Sequence, residues 1–267
     1  MTTTIPSLIT PQSRIGDIVA ACPALARLFE ELRIDYCCAG KQTLAASGSR
    51  GLSVPTVVAM LEAAAASVAA GPAEVDAAAM SLTELADHIE RTHHVYLKDE
   101  LPRLAEMAGR VAYKHGHRDS RLLEVAATVE VVAQEMVSHM QKEEGILFPL
   151  IRQIDAGVQD GLHGGSITHP IRQMEAEHDD AGRATERLRE LTDGFRPDGD
   201  ACNIHRALLD GLARLEADLH RHVHKENNIL FPRALDRAGG RVNWGKYRAG
   251  TGNIRGCVGA HSGYNGA

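Results

Sequence analysis

An eleven-residue motif that occurs twice constrains this chain more than any other feature: HMQKEEGILFP runs from His139 to Pro149 and HVHKENNILFP from His222 to Pro232. Seven of the eleven positions are identical, which gives the shared pattern H-x-x-K-E-x-x-I-L-F-P. On a helix, residues four apart stand on one face. His139 with Glu143, and His222 with Glu226, therefore each present an imidazole beside a carboxylate. The apolar Ile146, Leu147 and Phe148, and Ile229, Leu230 and Phe231 in the second copy, come immediately after, so the polar pairs border a buried layer where a charge needs a partner. A further histidine precedes each pair at nearly the same distance: 45 residues separate His94 from His139, and 44 separate His178 from His222. Each half reads as a helical hairpin. Two such hairpins packed with pseudo-twofold symmetry bring four histidines and two glutamates to one bundle centre.

A single His/Glu pair of this spacing among 14 histidines is ordinarily a solvated helix face, but two copies inside a longer repeat favour metal ligands. Mixed nitrogen and oxygen donors without thiolate suit iron or manganese, and two carboxylates bridging two metals is the economical arrangement. The H-x3-E spacing differs from the Glu-x-x-His of ferritin-like bundles and points to another di-metal family. The repeat alignment selects His94 over His93, and His222 over His220 and His224; the three neighbours are expected to face solvent. Glu135 and Asp218 stand one turn before His139 and His222 and are candidate hydrogen-bond partners of those imidazoles, with plain surface acids as the alternative.

Around this repeat the chain reads as all-α, because alanine is abundant and aromatic residues make up only 4%. The sequence predicts a small helical domain over 1–72 broken by Pro23, a DYCCAG turn and GSRGLSVP. A linker over 73–80 comes next, then a four-helix antiparallel bundle over 81–238, and a Gly-rich, poorly ordered tail over 239–267. Ser81 with Glu84 forms a capping box that opens the first bundle helix. The net charge of -6 argues against nucleic acid or an anionic membrane surface as a partner. No apolar run approaches the roughly 18 residues that span a bilayer. Five unevenly spaced cysteines do not make a disulfide scaffold, and the N-terminus has no basic segment leading into an apolar stretch, so a reducing cytoplasm is the expected compartment. Cys22 and Cys202 read as small core residues. Cys37 and Cys38 fall in a turn where a helix is expected to restart close to Lys41. Both features favour thiolate and suggest redox or soft-metal chemistry, against the alternative of two buried structural thiols.

The DYCCAGKQTL segment, the His/Glu ligand pattern and both ILFP repeats together resemble the iron-sulfur cluster repair di-iron proteins, the repair of iron centres family, over about residues 14–238. That resemblance implies a vicinal-cysteine domain joined to a hemerythrin-like bundle. The bundle would hold two non-haem iron ions, bridged by carboxylates and an oxo or hydroxo group, on His94, His139, Glu143, His178, His222 and Glu226. It implies repair of iron-sulfur proteins damaged by nitrosative or oxidative stress, through iron donation or nitric oxide chemistry, with Cys37 and Cys38 as redox or iron-transfer groups. Nitric oxide or dioxygen is the implied small ligand. A nitric oxide reductase-type activity, iron versus manganese, and a monomer versus a homodimer stay open. The alternative is a hemerythrin-like protein that binds or senses oxygen or nitric oxide and transfers nothing; the cysteine module, which such a protein does not need, favours repair.

Overall fold

The computed structural model describes residues 9–48, 51–68, 75–158 and 167–239. The expected disorder of the tail falls almost wholly outside these residues, as do part of the linker and most of the Gly-rich loop after Val158. Among the described residues there is no strand, only an isolated bridge between Arg14 and Thr43. The N-terminal module comprises α1 (Ile15–Ala21), a short 3-10 turn (Pro23–Leu25), α2 (Ala26–Leu32) and α3 (Val54–Val68). Pro23 starts the turn where its fixed φ and missing N–H do least harm. Arg33 closes α2 in the left-handed conformation (φ 54°), returning its N–H to Glu30 and Phe29. The chain from Arg33 to Gly48 is irregular, so no helix restarts at the cysteines.

Four long helical rods form the bundle. They are α4 (Leu82–Ile89) continuing into α5 (Val95–His115), α6 (Arg121–Lys142) into α7 (Phe148–Asp155), α8 (Thr168–Leu191), and α9 (Asn203–Lys225) into α10 (Phe231–Arg237). Three of them are interrupted by one π-turn each, at Glu90–His94, Glu143–Leu147 and Glu226–Leu230. A π-turn widens the helix by one residue and re-aims the side chains of the next turns. Each of these turns begins or ends on a residue singled out by the repeat: His94, Glu143 and Glu226.

The apolar stripes of the rods form two separate clusters. One holds Leu97–Val111, Leu122–Met140, Ala181–Leu191 and Leu208–Leu219 positions; the other holds Leu82–Ile89, Leu147–Ile154, Ile167–Met174 and Ile229–Ala234 positions. The six repeat-selected His and Glu residues lie in the layer where the two clusters meet on every rod. A third cluster fills the N-terminal module and includes Val223 of α9, so the module is packed onto the bundle. That docking separates the two repeat copies. Ile229 is buried on the side where α1 packs, whereas Ile146 is 56% exposed, contrary to the expectation that both border the core.

Ser81 accepts a hydrogen bond from Glu84 N, and Glu84 Oε2 accepts one from Ser81 N. This reciprocal cap satisfies two orphan donors at the start of α4. Ser81→Ala should lower unfolding stability by about 1 kcal/mol in urea titrations, with no change in helix content of the folded state; an unchanged midpoint would show the cap to be idle.

Candidate metal centre

Helix geometry puts His139 and His222 in the last turns of α6 and α9, and the π-turns set Glu143 and Glu226 directly after them. His94 ends the first π-turn, and His178 sits midway along the uninterrupted α8. All six are buried. Nε2 of His94 and Nε2 of His139 each lie 3.3 Å from Glu143 Oε2. Glu226 lies with Oε2 3.1 Å from His178 Nε2 and Oε1 2.9 Å from His222 Nε2. His139 and His178 point their Nε2 atoms at one another, 3.0 Å apart. The donors fall into two groups whose atoms lie within 4.8 Å of each other: His94, Glu143, His222 and Glu226, and His139, Glu143, His178 and Glu226. Both carboxylates belong to both groups, and each group takes one histidine from each half of the repeat.

The partners that hold these imidazoles come from other helices. His94 Nδ1 lies 2.8 Å from Glu144, which is also bound by Lys98; His139 Nδ1 lies 2.9 Å from Glu177, bound by Lys142; His178 Nδ1 lies 2.9 Å from Asn227 Oδ1. Phe148 stacks on His94 and Phe231 on His178, so the phenylalanine of each repeat packs on the imidazole of its own half. Glu135 and Asp218 do not take the expected role. Glu135 is exposed, and Asp218 accepts from His93 at 2.9 Å. The reason is geometric: with Nε2 aimed at the bundle centre, Nδ1 points across the groove to a neighbouring helix rather than down its own. A readable signal did exist, since Glu144 and Asn227 occupy the same place in the two repeat copies, one after the buried carboxylate.

The expectation that the neighbouring histidines face solvent is likewise corrected. His93 is buried, stacked on His222 and reached by Lys225; His224 is buried against Tyr36; only His220 keeps partial exposure. Burial, acting first, holds His93 and His224 down to about 4, so both rings are neutral. The module and the bundle each claim a side of α9 that an isolated helix would leave in water.

The cysteine turn is organised by Asp35. Its Oδ1 accepts from the backbone N–H of Cys37 and Cys38 and from the Cys37 thiol at 3.2 Å, and its Oδ2 accepts from Ala39 N. Cys37 is buried and Cys38 half-buried, with the sulfurs 3.8 Å apart. The activated-thiolate expectation does not hold for Cys37. Its hydrogen bond to Cys38, its burial and the nearby Asp35 carboxylate push its thiol well up, and Lys41 is paired with Glu175 of α8 at 2.6 Å. Cys38 faces Gly182 of α8, one turn beyond His178, across a cleft of about 420 Å³ also lined by Asp179 and Arg183. Cys202 is half-buried rather than core, 3.2 Å from His115 Nε2.

Comparison with known proteins gives the same two parts. The hemerythrin HHE cation binding domain matches residues 85–234, and the ScdA_N domain of unknown function (DUF542) matches residues 11–65. Curated relatives named iron-sulfur cluster repair protein YtfE are 39% identical over 226 residues in Musicola paradisiaca (84% of this chain, 96% of that protein). In Pectobacterium atrosepticum the same-named relative is 39% identical over 223 residues (83% and 96%). The chain belongs to the iron-sulfur cluster repair family. A metal-binding bundle is what the hemerythrin domain supplies to that family, and the donor set here fits it. Among the described residues, His94 Nε2, both Glu143 oxygens and Glu226 Oε2 are buried with no hydrogen-bond partner, which is costly unless a cation takes their lone pairs.

Electrostatics set how the centre behaves without metal. Burial penalises both carboxylates, yet Glu143 is held low and Glu226 well below the usual range because the surrounding imidazoles outweigh it. Burial likewise opposes charge on His139, but Glu143, Glu226 and Glu177 raise it to about 9. Protons thus substitute for metal, and metal binding must expel them. Replacing Glu143 or Glu226 by Ala should abolish metal binding altogether by elemental analysis, because each carboxylate serves both donor groups; retention of half the parental metal would assign each carboxylate to one group.

The neutral, buried His93 and His224 give a stability term with a definite sign. Their folded values near 4 lie below the ordinary 6.5, so the unfolded chain binds protons first as pH falls; the stability is full above about 6.5 and is lost on the way down to about 4. Chelator-treated protein should melt earlier than loaded protein at pH 7, because its buried carboxylates lose a cation, and earlier again at pH 5, where the two neutral rings lose more than the raised His139 gains; calorimetric midpoints independent of both metal and pH would contradict this.

Proposed function

We propose that this protein repairs iron-sulfur clusters damaged by nitrosative or oxidative stress, with a resident pair of non-haem irons on His94, His139, Glu143, His178, His222 and Glu226. The observation that carries the two-metal reading is that both buried carboxylates fall in both donor groups. Bound iron would supply an open coordination position for nitric oxide or dioxygen. The chain's own residues do the rest. Glu144, Glu177 and Asn227 orient three of the imidazoles, and Phe148 and Phe231 keep water from the faces of His94 and His178.

Cys37 and Cys38 are the groups we assign to transfer. Their turn is held on α8 close to His178, and their sulfurs, with Asp35, form a third cluster of potential ligands. Ferrous iron delivered there as cargo would displace the thiol protons, so the raised Cys37 keeps the pair idle until a metal or client engages it. A cytoplasmic location, in which thiols stay reduced, fits this use. The partners are damaged iron-sulfur proteins.

Cys37→Ser/Cys38→Ser should keep the iron content and visible spectrum of the bundle but lose most of the repair of a damaged iron-sulfur enzyme, and most of the iron passed to an apo iron-sulfur protein, relative to the parent. Repair at the parental rate would remove the cysteines from the reaction and leave a hemerythrin-like protein that binds or senses a gas.

A further inference from the structure

The two repeat copies play the same part at two positions and diverge at the next. The buried carboxylates Glu143 and Glu226 are succeeded by Glu144 and Asn227, which bond His94 and His178. The next residue is Gly145 in the first copy, with open space around it, and Asn228 in the second. Asn228 Nδ2 donates to the carbonyls of Tyr36 and Cys37, at 3.1 and 3.0 Å. Its side chain occupies a slot made by two glycines of the N-terminal module. A methyl at Gly16 would stand 2.6 Å from Asn228 Oδ1, and one at Gly40 would overlap it as well. The slot accepts a planar amide and nothing beside it.

Asn228 and Glu226 belong to one π-turn, two residues apart, and Asn227 between them holds His178. A shift of Glu226 is carried by that single backbone turn to the amide seated under Cys37. A cation shared by the two donor groups would pin Glu226, which belongs to both and lies 3.1 and 2.9 Å from Nε2 of His178 and His222. We infer that Asn228 is a positioning residue that couples occupancy of the metal centre to seating of the cysteine turn: with metal bound the turn is held and Cys37 is covered, and with metal gone the turn lifts and both thiols open to a client. This deepens the repair reading, since it exposes the thiols at the stage when iron has left the bundle.

The test is alkylation of the full chain by iodoacetamide, with the products read by peptide mass spectrometry. Ferrous-loaded and chelator-stripped protein are compared, with Cys202 at the opposite end of α9 as internal reference. In the parent, Cys37 should react about tenfold faster once metal is removed, the scale of losing one or two hydrogen bonds that hold a local opening shut. Asn228→Asp keeps the size but faces two carbonyls with no donor, so Cys37 should react fast in both states while iron content is retained. Gly16→Ala reaches the same amide from the other side, in a helix that tolerates alanine, and should act alike. A parental rate indifferent to metal overturns the coupling, and so does a chain that takes up no iron. Slow alkylation in Gly16→Ala with iron retained overturns the positioning role, and this variant decides if Asn228→Asp itself loses iron. These rates do not depend on repair, so a chain that shows the coupling yet repairs nothing would remove the repair reading alone.

Discussion

Two carboxylates buried at the junction of two apolar clusters are the constraint on which this structure turns. Glu143 and Glu226 have no exposed surface, and three of their four oxygens have no hydrogen-bond donor among the described residues. Isolated anions in such a place would be intolerable, and each would repel the other. What makes the arrangement tenable is the ring of four imidazoles: against the penalty of burial the carboxylates favour the charged form of His94 and His139, and all four rings offer a nitrogen to a cation. The apolar layers above and below then become an advantage. They exclude water, strengthen every interaction in the layer, and fix the four rods in the one rotation that aims all six donors inward.

The repeat distributes the labour of that site. In each half the phenylalanine of the ILFP segment stacks on the histidine of the partner rod, and the residue after the carboxylate bonds that histidine's outer nitrogen. One half uses charged partners, Glu144 and Glu177, each neutralised by a lysine; the other uses the neutral Asn227, and His222 Nδ1 has none among the described residues. Each donor group therefore contains one histidine backed by a carboxylate and one without. A carboxylate partner raises the basicity of an imidazole ligand, so the groups are matched rather than opposed in strength.

Pseudo-symmetry ends where the N-terminal module docks. The module covers α9 and the second π-turn of the repeat, burying His224 and Ile229, while the equivalent face of the first copy stays in solvent at Gly145 and Ile146. Docking also covers Cys37 and places Cys38 opposite Gly182. The cysteine turn is thus part of the bundle's surface rather than an independent domain on a tether, and its thiol chemistry is governed by that seat more than by any helix start.

Relations within one helix, and those the duplication repeats, were legible in the sequence because helix geometry and self-similarity decide them. The pairing of His139 with Glu143 and of His222 with Glu226, the cap at Ser81, and the choice of His94 and His178 by repeat spacing all come from a period of 3.6 residues and from duplication. Relations between helices were not legible. That His139 is held by Glu177 rather than Glu135, that Asp218 serves His93, that three rods carry π-turns, and that Cys37 is a covered thiol depend on how each rod is rotated and what lies across the groove. Those are set by packing two apolar clusters and a docked module around buried charge, a balance among residues far apart in the chain that no local spacing encodes.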